Sequence, residues 1–336
     1  MTIHREQVRN QLKATAELFF SSDRFLLLTH EYPDGDALGS MLALGEGLKS
    51  LGKQVTMYSE GLIPEIYGFL PGLSDIANDP GRLDEFQIVV LIDCHELHRA
   101  GDRFLHAGSA PILAVIDHHL ADKDFPSHAV VDARASASGE LIFYLLNEMG
   151  LTVTKDIAVN LFVAISTDTG SFSYENTTPG ALEVVAKLVA VGAKPWDIFR
   201  HLNFNRSPAR MSLLGQTLSG MEYFHQGQVG VMTITLEMMK STKTTAPDTD
   251  GFVEYPRWVK GVELAVLVRE TGPKSCKVSL RSLGRVNAAA LAQAFGGGGH
   301  FNAAGFIVDE PVDKLKNLLI MAIVPYLPTS KIKENA

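Results

Sequence analysis

Short apolar runs alternate with stretches of helical periodicity through the first half of the chain. Segments 25–29, 55–58, 86–92 and 112–116 read as buried strands, each closed by polar residues. Segments 37–51, 138–149, 156–166 and 180–191 repeat their apolar positions three and four apart and read as helices. Strands alternating with helices predict an α/β domain with a doubly wound, largely parallel sheet over residues 1–193. Residues 194–220, punctuated by Pro195 and Pro208, read as a helical linker. Residues 221–336 then read as a smaller α/β domain. Its strands are expected at 228–236, 262–269, 276–281 and 304–308, and its helices at 287–295 and 312–324. The Thr- and Asp-rich stretch 241–250 reads as a mobile loop.

Composition narrows this picture. The 336 residues are 46% apolar and 20% charged, which excludes disorder, collagen and coiled coil as the main architecture. The net charge of −8 argues against a generic polycation for duplex nucleic acid or anionic membrane. The charge is unevenly spread. Residues 1–199 hold 14 Lys/Arg and 27 Asp/Glu, whereas residues 200–336 hold 16 and 11. An acidic first half and a basic second half suggest different tasks. Two cysteines without a CxxC pair exclude a disulfide framework and suit a reducing compartment. With no secretory pattern at residues 1–30 and no apolar run of about 18 residues, the expected location is the cytoplasm, without membrane attachment.

The chemistry-bearing residues follow the strands. Segment 25–29 runs into His30, Asp34 and Asp36; segment 86–92 ends at Asp93; segment 112–116 ends at Asp117, His118 and His119. A helical segment ends near Asp168. Ligands bind at the carboxyl ends of strands in open α/β sheets, so these positions mark a candidate site. An alternative for the first loop is local: Asp36 as a helix N-cap and Asp34 as a turn former. The recurrence weighs against it. Five carboxylates and three imidazoles gathered at one place would repel strongly without a cation. Carboxylate and imidazole donors without thiolate favour Mn²⁺, with Mg²⁺, Co²⁺ or Fe²⁺ as alternatives, and six or more ligands suggest two ions sharing a carboxylate. The segment His95-Glu96-Leu97-His98 is not HExxH, because its histidines are three apart. It reads as surface or as support behind the ligands, and His4, His106, His128, His201 and His225 read as structural or solvated.

These motifs, in this order, resemble those of the DHH phosphoesterase superfamily. The segment Gly296-Gly297-Gly298-Gly299-His300-Phe301-Asn302-Ala303-Ala304-Gly305 resembles the signature of the DHHA1 domain that often follows it. Size and domain content are similar to the stand-alone nanoRNase/pAp-phosphatase group. The resemblance implies one metal held by His30, Asp34 and Asp93, and a second by Asp36, Asp93, His118 and Asp168, with Asp93 bridging. It assigns His119 to the scissile phosphate and leaving group, and Asp117 to orienting a histidine ligand from behind.

In the second domain, seven Lys/Arg lie between residues 255 and 285 against two Glu, a basic face suited to a short single strand. Arg281, Gly297, Gly298, Gly299, His300 and Asn302 are candidate substrate-binding residues, through exposed amides and added donors. The competing reading of the glycines is a flexible connection. The implied activity is two-metal hydrolysis of very short RNA to mononucleotides and dephosphorylation of 3′-phosphoadenosine 5′-phosphate (pAp). Alternatives are a phosphodiesterase for linear or cyclic dinucleotides (pGpG, pApA, c-di-AMP) and a catalytically silent nucleotide-binding protein. Short single-stranded RNA, dinucleotides or pAp are therefore the expected partners, along with a second copy of the chain in a homodimer.

Overall fold

The computed structural model describes residues 2–104, 112–119, 126 and 128–328. His106 lies outside the described residues, as does the side chain of His4. The chain divides into two compact units, Met1–Asn205 and Arg206–Ala336.

The first unit runs α1 (Thr2–Phe20), β1 (Arg24–Leu28), α2 (Gly35–Ser50), β2 (Gln54–Tyr58), β3 (Ile88–Ile92), β4 (Ile112–Asp117), β5 (His128–Val131), α3 (Ser138–Glu148), α4 (Lys155–Asp168), α5 (Pro179–Val191) and α6 (Pro195–Asn203). All five strands are parallel, in the order β2-β1-β3-β4-β5. Central strands covered on both faces need continuous apolar runs, and the Ile-Val-Val-Leu-Ile of β3 is buried throughout. Alternate residues enter two cores. Phe25, Leu27, Val90, Ile92 and Ile116 join the helices, while Leu26, Leu28, Val89, Leu91 and Val115 meet Cys94, Phe104 and Tyr58. Helix starts follow capping chemistry: Asp34, Thr154 and Thr178 accept hydrogen bonds from first-turn amides of α2, α4 and α5. The amphipathic α1 and the four-residue β5 were not anticipated from the pattern.

The second unit runs α7 (Pro208–Ser219), β6 (Glu222–Phe224), β7 (Val229–Ile234), α8 (Leu236–Thr242), β8 (Leu264–Gly272), β9 (Ser275–Ser282), α9 (Ala288–Gln293), β10 (Gly298–His300), β11 (Ala303–Val308) and α10 (Val312–Ala322). The sheet order is β10-β11-β9-β8-β7-β6, with only β7–β8 parallel. One face packs α9 and α10, and the other packs α7, α8 and the 3₁₀ segment Phe252–Trp258.

Three details depart from the sequence reading. The region 194–220 forms two helices, α6 in the first unit and α7 in the second. The strand expected at 228–236 ends at Ile234, because the Thr235 hydroxyl caps α8 through the Met238 amide. The stretch 241–250 is tied down rather than loose. Thr242 and Thr244 are buried and share a hydrogen bond of 2.8 Å, Thr245 and Asp248 form a capping box, and the Arg210 guanidinium donates to the carbonyls of Asp248 and Asp250. Among the described residues no helix is long and apolar enough to cross a membrane.

The α2–α4 contact sets the floor of the site, and Gly39 permits it. A Cβ there would lie 2.3 Å from the Asn160 carbonyl oxygen. Gly39→Val should therefore cost about 1–3 kcal/mol in urea unfolding. An unchanged midpoint would mean that the two helices are not in this close contact.

Candidate metal centre

The parallel strands end at one edge, and the chain reverses its direction of winding between β1 and β3. Ligands bind at such a switch point. The loop after β1 carries His30, Asp34 and Asp36. The Oδ1 of Asp34 accepts the Asp36 and Ala37 amides at 3.0 Å, so Asp34, not Asp36, caps α2. Asp36, two residues onward, is fully buried. Its carboxylate accepts the Ser138 amide (2.6 Å), the Gly139 amide (2.8 Å) and the Ser40 hydroxyl (3.0 Å). The first two amides open α3, whose positive end offsets part of the charge.

Asp93 leaves β3 with φ 60°, a left-handed conformation that Asp tolerates better than most residues. Its amide donates to Ile116 (3.0 Å) and its carboxylate accepts the Ser138 hydroxyl (3.0 Å). Asp168 is the last residue of α4, at the negative end of the helix. The Asn176 side-chain amide holds its carbonyl at 3.1 Å and its Oδ2 at 3.4 Å.

These elements bring all six expected ligands together. His30 Nε2 lies 3.5 Å from Asp93; His118 Nε2 lies 3.4 Å from Asp168, 3.6 Å from Asp93 and 3.7 Å from Asp36. In each of three groups, one donor atom per residue falls within 4.8 Å of the others: His30/Asp34/Asp93, Asp36/His118/Asp168 and Asp93/His118/His119. Asp93 belongs to two of them.

The donor set fits cations. His118 Nδ1–H donates to the Ala135 carbonyl (3.3 Å), which turns the Nε2 lone pair toward three carboxylates. Burial first, then the charge of Asp93, raises Asp34 and lifts Asp36 well above the carboxylate range. Burial also pushes Asp168 up to about 6, although His118 pulls it down. Positive charge is the missing counterpart.

A different arrangement surrounds Asp117, which is fully buried at the end of β4. Its Oδ1 accepts His119 Nδ1–H (2.7 Å) and the His119 amide (3.1 Å); its Oδ2 accepts His95 Nδ1–H (2.8 Å). Burial alone would raise Asp117, but these hydrogen bonds hold it well below the usual range. The same bond to Asp117 lifts His119 to about 9. Asp117 therefore meets His119 and His95, while a backbone carbonyl orients His118.

In the second unit, β10 pairs with β11 and β11 with β9, so that His300, Ala303 and Arg281 stand opposite one another across three strands. The glycine run leads into β10 rather than forming a loose loop. A Cβ at Gly297 would meet the Gly305 carbonyl at 2.3 Å, and one at Gly299 would meet that of Ala303 at 2.5 Å; Gly298 faces open space. Close approach of β11 thus requires two of these glycines. His300 and Asn302 are exposed, and Arg281 Nε donates to Glu254 (3.0 Å), which also pairs with Arg257.

Residues 24–165 match the DHH family N-terminal domain, and residues 227–323 match the DHHA1 domain. The chain is 33% identical over 279 residues to the bifunctional oligoribonuclease and PAP phosphatase NrnA of Thermus thermophilus, covering 83% of this chain and 82% of that protein. The chain belongs to the DHH family. A Bacillus subtilis protein of the same name is 26% identical to this DHH chain over 301 residues, covering 89% of this chain and 92% of that protein. The crystal structure of an exopolyphosphatase-related protein from Bacteroides fragilis superposes with a TM-score of 0.87 at 27% identity, covering 95% of this chain and 96% of that one.

Sequence reasoning about this DHH chain missed the residues that hold the ligands in place. Ser138, Gly139, Ser40 and Asn176 support Asp36, Asp93 and Asp168 through contacts as much as 103 positions apart. One local signal existed: the helical periodicity that begins at Ser138 places free first-turn amides there, which suit an anion.

Because Asp34, Asp36 and Asp168 are raised in the folded state, their contribution to the stability of metal-free protein is fully present only below their unfolded values near 3.8. That contribution is lost as pH rises through the folded values, about 6 for Asp168. Divalent ions replace the protons, so the rise in Tm on adding Mn²⁺ to chelator-treated protein should grow between pH 4.5 and 7. It corresponds to about 2.7 kcal/mol when the ion is at about 100 times its Kd. A pH-independent increment would show that these carboxylates do not receive the ion.

Proposed function

We propose that this chain is a two-metal phosphoesterase that degrades very short RNA oligonucleotides to mononucleotides and removes phosphate from pAp. The observation that carries the reading is two neighbouring donor groups, His30/Asp34/Asp93 and Asp36/His118/Asp168, with Asp93 of the first 3.6 Å from His118 of the second. The Thermus relative, whose name gives those two activities, supports the substrate class. His30, Asp34 and Asp93 would hold one ion, and Asp36, Asp93, His118 and Asp168 the other. Oxygen and imidazole donors without thiolate suit Mn²⁺ best, with Mg²⁺, Co²⁺ or Fe²⁺ as alternatives. When bound, such ions supply charge neutralisation for the phosphoryl oxygens and a more acidic attacking water.

The chain's own residues supply positioning and a proton. With Nδ1–H committed to Asp117, His119 carries its second proton on Nε2 and is charged at neutral pH. It can donate that proton to the leaving ribose oxygen. Arg281, His300, Asn302 and Gly298 would bind substrate away from the scissile phosphate.

The test is a panel of pAp, pApA, c-di-AMP and 5′-labelled RNA of increasing length, each with Mn²⁺ and Mg²⁺. Turnover of pAp and the shortest RNAs is expected, and Asp93→Ala should abolish it together with bound metal while the circular dichroism spectrum is kept. Hydrolysis of c-di-AMP alone would favour the cyclic-dinucleotide reading, and an active Asp93→Ala would remove the two-metal site.

A second expectation follows from the DHHA1 residues. Arg281→Ala and His300→Ala should slow pAp and dinucleotide hydrolysis about 10- to 100-fold, the loss of a charged hydrogen bond. Bis(p-nitrophenyl) phosphate, with no second nucleotide to bind, should be cleaved almost normally. Parallel loss on both substrates, with a lower Tm, would make these residues structural only.

A further inference from the structure

Among the groups near the metal centre, His95 has no place in the reading above. It lies two residues beyond Asp93, in the turn that the positive φ of Asp93 starts. Its side chain is 16% exposed, and Nδ1 lies 2.8 Å from Asp117 Oδ2. An ionised carboxylate can only accept, so this nitrogen carries the hydrogen. The two oxygens of Asp117 are thus divided: Oδ2 takes His95, and Oδ1 takes both the amide and Nδ1–H of His119. Asp117 is fully buried, so no bulk water can replace a lost donor.

We propose that His95 is a positioning residue for the proton-donating step. By anchoring Oδ2 it fixes the plane of the Asp117 carboxylate, and that plane fixes the ring of His119. Without the anchor, the carboxylate can turn about its Cβ–Cγ bond and divide Oδ1 among several directions. His119 then keeps its charge partner but loses its aim at the leaving oxygen. The inference rests on the reading of His119 as the proton donor: as the P–O bond breaks, the proton on Nε2 passes to the leaving ribose oxygen.

A proton donor matters for a poor leaving group and little for a good one. That difference separates positioning from general support. The donor and the shape of His95 are separated by two variants: His95→Asn keeps an N–H donor near the place of Nδ1, and His95→Phe keeps the ring without it. His95→Phe should lower kcat on pAp and on a dinucleotide about 10- to 100-fold, the usual effect of removing a partner that orients an active-site group. KM and bound Mn²⁺ should stay unchanged. Bis(p-nitrophenyl) phosphate, whose leaving group needs no proton, should be hydrolysed at nearly the wild-type rate. His95→Asn should recover most of the nucleotide activity.

His119→Ala, measured alongside, should show the same dependence on leaving group, more strongly. The inference is overturned if His95→Phe behaves as wild type, if it loses both substrates equally or loses metal, or if His95→Asn is no better than His95→Phe. If His119→Ala lost both substrates equally, the donor role itself would fall, and the role of His95 with it.

Discussion

Mutual repulsion among four buried or half-buried carboxylates is the constraint around which the first unit is arranged. Asp34, Asp36, Asp93 and Asp168 converge where three parallel strands and one helix end. Like charges at such distances in a poorly solvated site are costly: burial first, and neighbouring carboxylates after it, raise Asp34, Asp36 and Asp168. The fold offsets part of that cost with fixed dipoles. The α3 amides serve Asp36, the α2 amides serve Asp34, and the hydroxyls of Ser40 and Ser138 complete Asp36 and Asp93. The remaining deficit is a demand for positive charge, and a site so preorganised would bind ions without having to assemble around them.

This constraint explains features that would otherwise look incidental. Gly39 brings α2 against α4, the helix that ends at Asp168. Gly139 stands where a Cβ would lie 2.6 Å from Ala164 and 3.4 Å from the Asp36 carboxylate. The left-handed Asp93 turns its side chain out of the strand direction at the switch point. Each feature shortens the distance between groups that charge alone would keep apart.

Much of this was legible in the sequence, for a definite reason. In a parallel sheet every strand ends at the same edge, so polar residues directly after apolar runs must converge whatever the loops do. That is why His30, Asp34, Asp36, Asp93, Asp117, His118 and His119 could be grouped from one sequence. What could not be read was long-range and specific to side chains. Nothing local says that Asn176 holds Asp168, that Ser138 serves both Asp36 and Asp93, or that His95 reaches Asp117. Short elements failed for a related reason. β5 and β6 take their order from neighbours, and α8 interrupts an apolar run because Thr235 caps it. The glycines of 296–299 carried two compatible signals, and β11 resolves them: at Gly297 and Gly299 a neighbouring backbone, not a ligand, forbids a side chain.

The two histidines after β4 show how adjacent residues acquire opposite chemistry. His118 gives its Nδ1 hydrogen to a neutral carbonyl, which leaves a lone pair aimed at the carboxylate cluster. His119 gives its Nδ1 hydrogen to a buried anion, which raises its proton affinity and keeps it a cation at neutral pH. A lone pair suits a metal, and a retained proton suits a leaving group. The two rings lie side by side, their centroids 4.7 Å apart, so position alone does not separate them. The difference in function then lies in the acceptor behind each ring rather than in the rings themselves. In the proposed reaction Asp117 would therefore act through His119, and the donor to its other oxygen, His95, would act through Asp117.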